Sequence, residues 1–239
     1  MPYYTLDWTY IVLVLPCILL SLWASSNVNS TFKKYSQQRN YRGLTGAEAA
    51  QRVLRANGVT GVGIQRVSGN LTDHYDPKTN VIRLSDSVYD SPTIAAVGVA
   101  CHEAGHAVQY AQNYAPIKLR SAVIPITNFG SRLSMPLILL GLVLGAMGDI
   151  WFNLVYIGIA CFALSLVFQL ITLPVEFNAS RRALQTIESS GLLNQEEQAG
   201  AKKTLTAAAM TYVAATAVSL AQLLRLIVLF GGRGRRSND

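Results

Sequence analysis

The sequence predicts a mainly α fold: multi-pass membrane helices with a small α+β domain on the cytoplasmic side. Three observations carry this prediction. Long apolar runs stand at Trp8–Trp23, about Arg132–Gly148, Trp151–Leu173 and Thr211–Phe230, each at or near the roughly 20 residues that a helix needs to cross a bilayer. Between the first two runs lies a polar stretch of short alternating segments and turn residues. Within that stretch, Thr93 to about Tyr110 reads as one unbroken helix carrying His102, Glu103 and His106.

The composition agrees. A chain of 239 residues that is 51% hydrophobic and only 14% charged is too apolar for an ordinary soluble domain. The first run (8–26 with its flank) is expected to be a retained anchor rather than a cleaved signal, because no basic residue precedes it and no small-x-small site ends it. The net charge of +7 does not point to nucleic acid, since the basic residues are dispersed in loops beside apolar runs. Residues 27–132 carry twelve of them, from Lys33 and Lys34 to Arg120 and Arg132, whereas residues 1–7 carry none and the turn between the second and third runs offers only Asp149. The positive-inside rule then places the N-terminus outside and segment 27–128 in the cytoplasm. The fourth run, 211–230, is interrupted by Gln222 and Arg225, and spanning would put Arg233, Arg235 and Arg236 outside, against the rule. It reads either as a span or as a partly buried helix.

Cys17, Cys101 and Cys161 are too few and too scattered for a disulfide framework or a thiolate metal site. Cys17 and Cys161 read as small hydrophobes. Cys101 adjoins His102, but its side chain points about a third of a turn away.

In chain order, Asn27–Arg42 is a polar, basic segment suited to anionic lipid. Thr45 and Glu48 have capping-box spacing and open a short helix that Asn57-Gly58 stops. Residues 59–67 and 71–75 read as strands around the turn Ser68-Gly69-Asn70, and Val81–Ser85 as a third strand after Asp76–Asn80. His74 lies in this hairpin; it reads as a turn-flanking structural residue, with transition-state donor as the alternative. Ser91 can cap the next helix, with Pro92 in its first turn. Tyr114–Asn128 is an amphipathic connector containing Pro116 and Pro125. Residues 132–173 form a hairpin of two spans across Gly148-Asp149. Pro174 then kinks or restarts the helix over residues 174–209. Asn194 with Glu197 marks a further helix start, and 231–239 is a flexible basic tail.

The chemistry concentrates in H-E-x-x-H. Spacing i, i+4 sets His102 and His106 on one helical face, one turn apart, where both imidazoles can bind one tetrahedral Zn²⁺. Glu103 is offset so as to reach a water there. Ala104, Gly105 and Ala107 allow close approach, and Ala95, Ala96, Val97, Val99 and Ala100 provide a dry wall. The ordinary alternative is a buried helix with satisfied core histidines; a zinc protease helix is the better reading. The histidine pair still lacks a third protein ligand. Glu176, in Leu-Pro-Val-Glu after the third run, can complete a His₂Glu set, although a glutamate there can also compensate a helix N-terminus.

Several blocks occur in one order: the N-terminal span, LTGAEAAQRVLRANG, LTDHYDP, VIRLS, CHEAGHAVQ and LPVEFNASRRA. In these the sequence resembles the YugP-type neutral zinc metallopeptidases, bacterial multi-pass membrane proteins, over nearly the whole chain. More distantly, LPVEFNASRRA is similar to the Glu-x-x-Ala-Asp segment of HtpX-type and CAAX-processing membrane proteases. There the glutamate is the third zinc ligand, which implies that role for Glu176 and a zincin-like (gluzincin) catalytic domain. The likeness departs at Asn178 and Ser180, where an aspartate is expected, so the residue that steadies a zinc-bound histidine is not set by the resemblance.

The function expected is therefore a zinc metalloprotease of the bacterial plasma membrane. One Zn²⁺ sits on His102, His106 and Glu176, Glu103 is the general base, and the substrates are membrane or membrane-proximal proteins. A second copy of the chain or another membrane protein is allowed as a partner. Two rivals stand beside it. One is an intramembrane protease of the site-2 type, which requires residues 93–110 to span and a second ligand, usually an aspartate in Leu-Asp-Gly, that the sequence lacks. The other is a catalytically silent, zinc-stabilised adaptor or assembly factor.

Overall fold

A computed structural model describes residues 7–231; the charged end of the expected tail, 232–239, lies outside them. The described chain runs α1 (Leu15–Ser36, entered through a π-helical turn at Tyr10–Val14), α2 (Gly46–Ala56), β1 (Gly63–Val67), β2 (His74–Asp76), β3 (Val81–Ser85), α3 (Ile94–Ala111), α4 (Ala115–Leu144), a 3₁₀ turn (Gly145–Met147), α5 (Asp149–Ser189) and α6 (Gln195–Phe230). These elements sort into two compact units. One consists of Ala24–Lys118 and Leu173–Thr211; the other is built on Leu119–Thr172, the helix up to Trp23 and the helix from Tyr212.

Four helices, Tyr10–Ser36, Ala115–Met147, Ile150–Ser189 and Gln195–Phe230, are long and apolar enough to cross a membrane. The fourth run is thus part of a continuous helix of spanning length. α3 is not among the four, which removes the premise of the site-2-type reading. The helices also outrun their sequence-predicted limits. α4 and α5 continue through Pro125, Pro136 and Pro174, so the amphipathic connector is the first part of α4 and Pro174 restarts nothing. A proline removes one hydrogen bond and bends a helix, but flanking turns and long apolar packing keep these helices whole. Glu176 is therefore mid-helix, and the helix-terminus explanation for it falls away.

In the membrane-type unit, Ile138, Phe152, Val155 and Leu226 form the core. Close packing of α4 on α5 depends on glycine. A Cβ on Gly158 would lie 2.8 Å from the Ser134 carbonyl oxygen, and one on Gly141 2.6 Å from the Val155 nitrogen, the small-residue contact that membrane helices use. Arg225, the residue that weakened the fourth run, donates from Nε to Asp7 Oδ2 at 2.8 Å, and its guanidinium lies 5.5 Å from the centroid of the Tyr10 ring. An ionisable residue in an apolar helix needs such a partner. The pairing also brings the start of the first span and the last turns of the fourth to one end of this unit.

The second unit holds the sheet. Local signals set its helix ends. Thr45 Oγ1 accepts from Glu48 N at 3.3 Å while Glu48 Oε2 accepts from Thr45 N at 2.9 Å, and Gly58 follows the α2 cap at φ +68°. Asn194 and Glu197 make the same reciprocal pair, 2.9 Å each way, ahead of α6. The cap of α3 is Thr93, two residues later than expected, with Oγ1 accepting from Ala96 N at 3.4 Å. Buried Asn40 fixes the entry to this helix by donating to the Leu44 and Pro92 carbonyls, each at 2.8 Å.

The sheet has the order β1-β3-β2, with β1 parallel and β2 antiparallel to β3. The expected hairpin of the first two strands is not formed. Leu71 takes a left-handed φ of 57°, and Asp73 leaves the strand path to accept from Ser85 N and Ser85 Oγ at 2.7 and 2.9 Å. Strand β3 takes the centre because its alternation buries Ile82 and Leu84 completely. They join Val53 and Leu54 of α2, the alanine face of α3, Ala183 and Ile187 of α5, and Ala201 and Leu205 of α6 in one core. This packing presents the face of α3 that bears His102 and His106 to α5.

Asp7→Ala is expected to lower the thermal unfolding temperature of the detergent-solubilised protein by several degrees, because it leaves the Arg225 guanidinium unpaired. The exchange Asp7→Arg with Arg225→Asp should recover most of that loss; an unfolding temperature indifferent to Asp7 would show that the pair contributes nothing.

Candidate metal centre

Helix geometry alone sets the two imidazoles side by side. His102 and His106 have ring centroids 4.7 Å apart at an interplanar angle of 85°. Glu176 arrives from α5 with Oε2 at 3.2 Å from His102 Nε2 and 3.5 Å from His106 Nε2. The three offer one ligand atom each within 4.8 Å of one another. Tetrahedral zinc with bonds of about 2.1 Å needs ligand atoms about 3.4 Å apart, so the donor set and its spacing fit that ion. Burial points the same way: Glu176 is only 2% exposed, and a buried carboxylate calls for a positive charge beside it.

The approach of α5 to α3 is made possible by Gly105. A Cβ there would stand 2.7 Å from the Ala179 carbonyl oxygen. The small residues of the motif thus serve helix–helix contact, with Ala104 and Ala107 buried in the core.

Glu103 is buried on the same helix. Burial, with the charges of Glu176 and Asp73 adding to it, pushes its carboxyl up to about 7, against the opposing pull of His102 and the Tyr75 backbone N–H. A carboxyl that titrates near neutrality could accept or release a proton at physiological pH. Strand β2 is an edge of the sheet, and its Tyr75 ring packs 5.5 Å from that of Tyr110 on α3. Burial likewise pushes the Cys101 thiol far up, which suits a small hydrophobe and no ligand. His74 is exposed, with Nδ1 at 2.8 Å from the Thr72 carbonyl, and lies outside the metal-type group.

The far nitrogens of the two histidines have partners that the sequence left open. His102 Nδ1 is 3.0 Å from Ser180 Oγ. His106 Nδ1 is 3.0 Å from Oε1 of Gln109, a fully buried residue that sequence reasoning missed. Its signal was a lone amide three residues after His106, on the same face of an otherwise apolar helix. Asn178 meets no histidine; it accepts from Gln109 Nε2 at 3.0 Å and from Arg182 Nε at 2.7 Å.

Among the described residues, four helices of spanning length and a largely buried His₂Glu group that could hold a metal ion are the features of a membrane-bound metalloprotein. The comparisons narrow this. Residues 10–231 match the family model described as "Putative neutral zinc metallopeptidase", and the chain is a member of that family. It is also 47% identical over 221 residues to "Putative membrane protease YugP" of Bacillus subtilis (strain 168), covering 92% of this chain and 96% of the relative. No solved structure matches the chain.

Gly105→Ala is expected to destabilise the protein by about 1–3 kcal/mol through overpacking, and to lower its affinity for divalent metal by moving Glu176 off the histidines. Wild-type metal affinity in this variant would show that the Gly105–Ala179 contact does not hold the site together.

Proposed function

We propose that this chain is a zinc-dependent endopeptidase in which His102, His106 and Glu176 hold one Zn²⁺ and Glu103 is the general base. The observation that carries the proposal is the His₂Glu group, in which His106 and Glu176 are buried and His102 half-buried, with a second glutamate of raised pKa next to His102 on the same helix. Zinc bound there supplies a Lewis acid that polarises the scissile carbonyl and lowers the pKa of water from about 15.7 toward about 7. Glu103 accepts the proton of the attacking water and returns it to the leaving amine, so the peptide C–N bond breaks with no net change at the enzyme. His102 and His106 keep Nε2 directed at the metal position while Ser180 and Gln109 occupy their Nδ1 atoms.

The substrate class is an extended protein segment. Strand β2 is an open sheet edge, and its Tyr75 N–H faces Glu103. A peptide that adds to this edge would run past the base. Glu176 lies on the same continuous helix as the third apolar run, which favours membrane or membrane-proximal proteins. The basic residues of 27–132 support a cytoplasmic site in a bacterial plasma membrane.

Purified Glu103→Gln protein should retain one equivalent of zinc by metal analysis and lose peptide turnover by about 10²–10⁴-fold. Glu176→Ala should lose the metal itself. Undiminished cleavage by Glu103→Gln would refute the assignment of the base, and full zinc in Glu176→Ala would refute the third ligand.

A further inference from the structure

We propose that Gln109 is a positioning residue that imposes the metal-binding tautomer on His106 and ties it to the turn of α5 that carries Glu176. The proposal rests on the zinc reading above. The direction of the hydrogen bonds follows from groups that cannot reverse their roles. Arg182 is a pure donor, and its Nε lies 2.7 Å from Asn178 Oδ1, which fixes that end of the Asn178 amide as oxygen. The Val175 carbonyl is a pure acceptor. Gln109 Nε2 lies 2.9 Å from the Val175 oxygen and 3.0 Å from Asn178 Oδ1, so both of its amide hydrogens are committed to acceptors. Its Oε1 therefore turns toward His106 and must receive a hydrogen from Nδ1, 3.0 Å away. With Nδ1 carrying the proton, a neutral His106 presents the Nε2 lone pair to the side where Glu176 Oε2 stands at 3.5 Å.

Val175 and Asn178 flank Glu176 on its helix, so the same amide that sets the histidine also holds the carboxylate's turn. Gln109 is 0% exposed, hence no water competes for these bonds, and an apolar replacement leaves the His106 Nδ1–H without its acceptor. Arg182 braces the outer end: it also donates to Gln112 Oε1 and lies 5.8 Å from the Tyr114 ring centroid. The resemblance to membrane zinc proteases implies an aspartate at position 178 or 180, where Asn178 and Ser180 stand. Here Ser180 serves His102, and the Gln109–Asn178–Arg182 relay serves His106.

The test separates positioning from packing by measuring zinc dissociation constants through chelator competition, alongside the unfolding temperature of the metal-free protein, on the full-length chain in detergent. Gln109→Met keeps the shape and removes the hydrogen bonds; zinc should bind about 10–100-fold more weakly. Gln109→Glu keeps an acceptor for His106 Nδ1 but opposes Val175 and Asn178. It should therefore bind zinc within a few-fold of wild type while its metal-free form unfolds at a lower temperature. Should Gln109→Met fail to fold, Asn178→Ala removes one anchor of the relay and is expected to weaken zinc binding by about 3–10-fold. Zinc affinity unchanged in Gln109→Met, or in Asn178→Ala where it stands in, overturns the proposal even if the unfolding temperature drops. Equal loss of affinity in Gln109→Met and Gln109→Glu overturns it too. Wild-type protein that binds no zinc removes the metal reading and this proposal together, an outcome distinct from the others.

Discussion

One constraint organises the unit that holds the sheet: a carboxylate, Glu176, is buried to 2% exposure against two imidazoles. Removing an ionised carboxylate from water costs several kcal/mol even after relaxation, and a positive charge placed among the three groups would offset that cost. The two helices that meet at this point also close the core through Ala104, Ala107, Ala183 and Ile187, so a cation held there would link its binding to folding.

Bringing these helices together sets the composition around the motif. Gly105 has the Ala179 carbonyl 2.7 Å from where a Cβ would stand, and the face of α3 behind the histidines is built from Ala95, Ala96, Val97 and Ala100, all essentially fully buried. Larger residues would hold α5 away by the length of a side chain, and Glu176 would no longer reach. Burial of Glu103 on this packed helix is in turn what raises its carboxyl toward neutrality, so the same packing sets the spacing of the His102–His106–Glu176 group and the pKa of Glu103.

Much of this was legible because it is local. The Thr45–Glu48 and Asn194–Glu197 boxes, the Asn57-Gly58 stop and the i, i+4 histidines depend on neighbours within one helical turn, and they stand where their spacing put them. Asp76, the last residue of β2, is held well below the usual carboxylate range by Arg83, Thr79 Oγ1 and the Lys78 N–H where the chain turns toward β3. Strand order was not legible. Two short runs around Ser68-Gly69-Asn70 imitate a hairpin, and only the burial of Ile82 and Leu84 from both sides, a property of the assembled core, makes β3 central. The prolines misled for a related reason: Pro174 costs a helix one bond, which signals a break only when nothing else holds the helix.

Gln109, Asn178 and Arg182 belong to a different kind of illegibility. Each is unremarkable in sequence: an amide in an apolar helix, another amide, one of two adjacent arginines. Their meaning is relational, since a donor-only guanidinium orients an amide, which orients a second amide 69 residues away in sequence, which orients an imidazole. Asp7 and Arg225, 218 positions apart, make the same point in the membrane-type unit, where a charge that weakened a predicted span is accounted for by a partner at the opposite end of the chain. Sequence patterns report the environment a residue prefers, whereas buried polar groups are decided by the partner they find. The H-E-x-x-H spacing therefore points to two candidate ligands, and the side chains that hydrogen-bond to them emerge only when the helices that carry them are packed together.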